Sequence, residues 1–282
     1  MKHLIFTSLA IFYATFITSA QTFQGKAIYM SKTIIDETKI QDKKMSAELQ
    51  EKLQQALKKA FEKTFTLDFN KEESIYMSEQ TLDKPQAMKG GVTVSVRNSN
   101  DNNLLYKNIK TNVVLTEDES MDGKNYLINE VLQKYDWKIL GETKKIGGYN
   151  CLKATAIEKV TAEDLARYAD FKKQQAIKPS YLGIMDEPKD KNIVAWFTNE
   201  IPVSHGPDGY WGLPGLILEV TKGKTILLCS KVIINPKDKR EINVPTKGKK
   251  ISKIDFTAKE KKLFDSMKDE NGIMTQKFTQ QN

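Results

Sequence analysis

Histidine is nearly missing from this chain. Only His3 and His205 occur among 282 residues, and His3 lies within an apolar N-terminal run. That scarcity excludes a histidine-rich zinc site. The two cysteines, Cys151 and Cys229, are too far apart for the close spacing of a zinc knuckle, and no other metal centre and no cofactor is expected. No G-x-S-x-G elbow is present, no P-loop, and no G-x-G-x-x-G that follows a strand and opens a helix. The usual marks of serine hydrolases, nucleotide sites and dinucleotide sites are therefore lacking. Outside the N-terminal run, no apolar stretch competes for the roughly 20 residues a membrane helix needs, so no span is expected in the mature chain. There is no internal repeat and no shift of composition to suggest two domains.

The N-terminal run itself reads as a secretion signal. Lys2 gives a positive start, Leu4 to Ile17 forms an apolar segment, and Thr18-Ser19-Ala20 supplies small residues for cleavage before Gln21. No cysteine follows, so lipid attachment is not expected. The expectation is export, with the periplasm as destination: residues 1–20 a signal peptide, 21–271 one domain, 272–282 a polar tail. The formal charge of +8 is basic, but an exported chain meets little nucleic acid, and the lysines are scattered. Their densest run, Lys237 to Lys253, is interrupted by Asp238, Glu241, Pro236, Pro245 and Gly248, and reads as a solvated loop. In an oxidising compartment an even cysteine count points to one disulfide, Cys151 with Cys229. Two buried free thiols are the alternative.

Periodicity predicts a mainly antiparallel β protein of the α+β class. Strands are expected at 24–32, 65–69, 74–78, 92–97, 104–115, 124–131, 137–140, 149–157, 193–197, 216–220 and 225–234, roughly ten in all. Gly147-Gly148 joins one pair as a turn. Helices are expected at 47–63, with Leu49, Leu53, Ala56, Leu57, Ala60 and Phe61 in one stripe, and from Thr161, where Asp164 completes a capping-box variant. In the second helix Leu165, Tyr168, Ala169 and Lys172 would face inward. A third is expected at 258–269, with Leu263, Phe264 and Met267 inward. Short connections favour antiparallel pairing. The expected architecture is one curved sheet with two or three amphipathic helices packed on it, a half-barrel like that of periplasmic lipoprotein carriers.

The densest information lies in residues 192–221. A strand through Ile193, Val194, Trp196 and Phe197 is ended by Pro202. Another begins at Leu216. Between them stand Gly206, Pro207, Gly209, Gly212, Pro214 and Gly215. Pro214-Gly215 suits the centre of a type II turn, with positive φ at the glycine. Gly212-Leu213-Pro214-Gly215-Leu216-Ile217, preceded by Trp196-Phe197-Thr198, Glu200-Ile201-Pro202 and Gly206-Pro207, resembles the signature of the GLPGLI family of exported Bacteroidetes proteins. Gly148-Tyr149-Asn150-Cys151-Leu152-Lys153-Ala154 fits the same pattern. The resemblance implies an exported relative and carries over no activity and no catalytic residue.

Two functional readings follow. In the first, Trp196, Phe197, Tyr210 and Trp211 line an apolar pocket or rim, with Glu200 and Glu219 as polar contacts, and the protein holds an apolar or peptide-like ligand or an envelope partner. The same rings could instead plug the open end of the sheet, leaving a structural component that meets only protein partners. In the second, Ser204, His205 and Asp208 form a hydrolase centre. Adjacency along a loop does not create triad geometry, so the first reading is preferred.

Overall fold

One sheet holds all twelve strands of the computed structural model, which describes residues 23–34, 51, 62–79, 104–177, 185–238 and 240–267. In chain order these are β1 (Gly25–Thr33), β2 (Lys63–Phe69), β3 (Glu73–Ser78), β4 (Leu104–Asn108), β5 (Val113–Glu119), β6 (Asn125–Val131), β7 (Lys138–Ile146), β8 (Tyr149–Glu158), β9 (Lys191–Thr198), β10 (Leu216–Lys222), β11 (Thr225–Ile234) and β12 (Lys249–Ser252). Two helices are described, α1 (Ala162–Ile177) and α2 (Lys253–Ser266). Across the sheet the order is β12-β6-β5-β4-β3-β2-β1-β11-β10-β9-β8-β7. Every neighbour is antiparallel except β12, which lies parallel to β6.

This order follows from connection length. β2 to β6 form one meander and β7 to β11 another, and β1 pairs with the first strand of the former and the last of the latter. β1 therefore joins the halves, and its Ala27 and Tyr29 are fully buried. The register places Ala27, Leu67 and Tyr76 in one cross-strand row and Phe69, Ser74 and Lys107 in the next, on the same face. Burial of such rings and branched chains contributes about 1.5–3 kcal/mol each.

Several expectations change. Twelve strands lie among the described residues, against the roughly ten expected. The stretch 104–115 is two strands, because Asn108 Oδ1 accepts from the Lys110 and Thr111 amides and Asn112 takes φ 57, closing a turn. The basic run is not all loop: its Lys249–Ser252 segment is β12. α2 begins at Lys253 rather than 258, since Ser252 Oγ accepts from the Asp255 amide as an N-cap. Its buried residue is Phe256, edge-on to Tyr126 at 5.6 Å, while Leu263, Phe264 and Met267 are half-buried. α2 is further tied to the β5–β6 turn, where Lys259 reaches Asp122 at 2.9 Å and Glu260 accepts from Ser120.

The capping box of α1 forms as expected: the Thr161 amide donates to Asp164 Oδ2 and the Asp164 amide donates to Thr161 Oγ1, each at 3.1 Å. Yet α1 does not pack through its expected face. Leu165 is 53% exposed and Ala169 is exposed, while Tyr168 and Phe171 stack on each other at 6.4 Å. The expected helix at 47–63, apart from Glu51 and residues 62–63, the strand at 92–97, the leader 1–20 and the tail 272–282 lie outside the described residues; Lys63 belongs to β2. Among the described residues no helix is long and apolar enough to cross a membrane.

Candidate functional site

Between β9 and β10 the chain folds back on itself as a knitted corner. The Leu216 amide donates to the Ile201 carbonyl at 3.0 Å, and the Ile217 amide donates to that of His205 at 2.9 Å. Gly212 donates to Ser204 at 3.3 Å, Tyr210 to Pro207 at 3.1 Å and Val203 to Ile201 at 2.8 Å. His205 and Trp211 form an isolated antiparallel bridge. A segment of this length held by so many of its own main-chain bonds is a built feature.

The glycines act differently from the type II turn expected at Pro214-Gly215. Positive φ falls on Gly212 (95°) and Asp208 (50°), not on Gly215. Gly215 is required for close approach instead: a Cβ there would lie 2.1 Å from the Thr198 carbonyl oxygen and 2.6 Å from its carbon. A Cβ on Gly206 would meet Ile217 at 2.8 Å. Pro202 and Pro214 are exposed at the bends, and Pro207 is buried.

Beneath the corner lies Lys107 of β4, with no exposed surface. Its Nζ donates to the carbonyls of Gly206 (2.8 Å), Asp208 and Tyr210 (3.2 Å). Three acceptors match the three N–H groups of an ammonium. Burial pushes the amine down to about 7, while Asp208 pulls it up; the three carbonyls also favour the charged form. His205 sits alongside, fully buried, its ring 6.2 Å from Phe69. Burial, then the charge of Lys107, lower the imidazole to about 3, so it is neutral at ordinary pH. Among the described residues neither ring nitrogen meets hydrogen-bond geometry with another group, and the nearby Asn70 main chain opposes the shift as the smallest of the three effects. Ser204, His205 and Asp208 are thus neighbours in sequence without forming a relay.

The aromatic residues divide between the two sheet faces. Phe197 is fully buried and Tyr210 nearly so, clustered with Leu213 and Ile217 and with the half-buried Tyr135 and Trp137. Tyr210 lies 5.4 Å from the Tyr135 ring. Trp211 is half-buried at the rim. Its Nε1 donates to the Gln133 carbonyl at 2.6 Å, and its own carbonyl accepts from Trp137 Nε1 at 2.8 Å. Residues 133–137 thereby strap the corner down. Replacing Tyr210 by alanine should lower stability by about 3 kcal/mol, at the low end for a buried ring; an unchanged unfolding midpoint would show that the ring is not a plug.

Trp196 points the other way. Its register partners are Lys153 on β8 and Glu219 on β10. Lys144 Nζ sits 4.4 Å from the indole centroid and pairs with Glu219 at 2.7 Å; Lys153 lies at 5.9 Å. The row continues through Leu228 and Met30, which are 40% and 56% exposed. Glu200 is exposed and accepts from the Asn150 amide at 2.8 Å, fixing the start of β8 rather than lining a pocket. The structure therefore brings Trp196 and Glu219 together and separates both from Phe197 and Tyr210.

Cys151 and Cys229 are free thiols, both buried in one core cluster, so the expected bridge is not made. Burial pushes each thiol up to about 11, and Cys151 adds to the effect at Cys229. Protonated buried thiols are poor nucleophiles. Lys107 has no sequence signal of its burial, because Leu104 and Tyr106 make one face of β4 as apolar as Leu105 makes the other.

Solved structures that resemble the chain include PNGF-II in the C2 and in the P21 space group. Each has a TM-score of 0.48 and 15% identity, and each match covers 86% of this chain. The chain spans about a third of their length, 33% and 34%. No curated protein matches. Residues 137–219, from the strap through β7 to β10 and including the whole corner, match the family described as "Protein of unknown function (Porph_ging)".

Proposed function

We propose that this chain is an exported binding or accessory protein of the cell envelope, without bond-making chemistry, which holds an apolar or peptide-like ligand or an envelope protein. The periplasm is the proposed site of action, and a half-barrel curvature of the sheet is the proposed shape. The observation that carries the reading is the row Lys153, Trp196, Glu219, Leu228 and Met30. It combines a half-buried indole with two exposed apolar side chains and a local Lys–Glu pair, the mixture expected of a contact surface. The knitted corner serves this surface as support, holding β9 and β10 in register behind it.

The alternative, a hydrolase using Ser204, His205 and Asp208, would need an imidazole that can take a proton and reach substrate. A buried ring shifted to about 3 counts against it.

Native mass spectrometry of protein purified from the envelope tests the reading. The wild type should carry a ligand or partner that is lost on Trp196→Ala or Leu228→Glu while the unfolding midpoint holds. Retention of the adduct by both variants would refute the assignment of the surface. Turnover of ester, peptide or glycoside substrates that disappears in His205→Ala would replace it with the alternative.

A further inference from the structure

Four buried polar atoms on or against the sheet face that carries Lys107 meet no hydrogen-bond geometry among the described residues: Ser74 Oγ, Tyr76 OH and both ring nitrogens of His205, which have only the Asn70 main chain close by. They are neighbours. Ser74 is the direct cross-strand partner of both Lys107 and Phe69, and the Phe69 ring faces that of His205. Tyr76 stands two residues along on the same sheet face. Its phenol is held un-ionised first by burial, then by Asp208 and Tyr210, whose carbonyls grip Lys107. Lys107 cannot serve the four atoms, because its three N–H groups already have acceptors.

We propose that ordered water occupies this enclosure, bonded to Ser74, Tyr76 and His205 beneath the 199–215 corner. Folded proteins leave buried polar side-chain atoms bare only rarely, and internal water is the usual partner where none is supplied by the chain. The atom set suits water better than an ion. A neutral imidazole offers one donor and one acceptor, and each hydroxyl offers both. A second cation would be repelled by Lys107. An anion would face the carbonyls of Gly206, Asp208 and Tyr210, which crowd the amine. The site lies apart from the Trp196 row and does not depend on the function proposed for it.

Isotope-labelled full-length protein provides the test. Long-lived water should give cross-relaxation to the ring protons of His205, with its ring nitrogens showing hydrogen-bonded shifts. Exchanging chloride for sulfate should leave these signals in place. Tyr76→Phe and Ser74→Ala should each lower the unfolding midpoint by a few degrees and move the His205 nitrogen shifts. A His205 ring without water contacts, together with midpoints that rise in both variants, would show that the atoms are bare and overturn the proposal. Signals that follow chloride concentration would overturn it in favour of an anion.

Discussion

Gly215→Ala is expected to cost about 4 kcal/mol, at the upper end for single substitutions. The added methyl would sit 2.1 Å from the Thr198 oxygen and 3.1 Å from the Asn199 nitrogen, and every atom it meets is main chain. A flexible side chain could rotate aside, but Thr198 is fully buried and paired with Leu216 across β9 and β10. Relief would require those strands to separate, which also breaks the bond from the Leu216 amide to Ile201. Gly209→Ala is the control within the same corner. Its nearest neighbour would be Tyr135 Oη at 3.9 Å, and a change within about 0.5 kcal/mol is expected. Equal midpoints for the two variants in denaturant titration would remove the close-approach argument.

The second large effect is expected of Lys107→Met, which keeps the length of the side chain and removes its donors. Three carbonyls of the corner then lose their partner, and the corner should loosen. Breaking a buried charged contact from one side costs about 3–5 kcal/mol; relief of the burial penalty on the amine places the expected loss near the lower figure. The wild type should also show a pH dependence that the variant lacks. Above about 7 the folded chain has released a proton that the unfolded chain retains up to the free-lysine value of 10.5. The unfolded state binds more protons across that window, so stability rises with pH from about 7 to 10.5 and is lower, and flat in this respect, below it. Thermal unfolding of both proteins from pH 6 to 10 checks this. A wild-type profile parallel to that of the variant would mean that Lys107 does not titrate in the window.

Much of the fold was legible because it rests on local pattern. β11 has the bounds its pattern predicts, since a run of apolar and β-branched residues closed by Asn235-Pro236 admits little else. The β7–β8 hairpin followed from Gly147 and Gly148, which do take positive φ. The capping box of α1 was also plain, although nothing local showed that the helix would leave Leu165 exposed. The 104–115 stretch misled because Leu104 to Leu115 keeps an apolar rhythm across the Asn108 turn. β12 was hidden for the opposite reason. Lys249 and Lys250 are exposed on a strand whose presence depends on parallel pairing with β6, a contact over more than a hundred residues of separation.

The corner shows the same division. Its aromatics, glycines and prolines announce a special segment, but the reason for Gly215 is the proximity of Thr198, a tertiary fact without a sequence signature. Lys107 is harder still. Lysines are seldom fully buried, so an inward one reads as a surface residue until the three carbonyls are seen above it. Trp196, Phe197, Tyr210 and Trp211 do not form one aromatic group, because the two-residue alternation of a strand sends Trp196 and Phe197 to opposite faces.

The central claim is that residues 199–215 form a fixed architectural corner pinned by Lys107. Native-state hydrogen exchange at the Gly212, Leu216 and Ile217 amides tests it most directly. If the claim holds, Leu216 and Ile217 exchange as slowly as the core amides of β9 and β10, Gly212 is protected, and Lys107→Met accelerates all three. Exchange of these amides in the wild type at the rate of an open turn would contradict it.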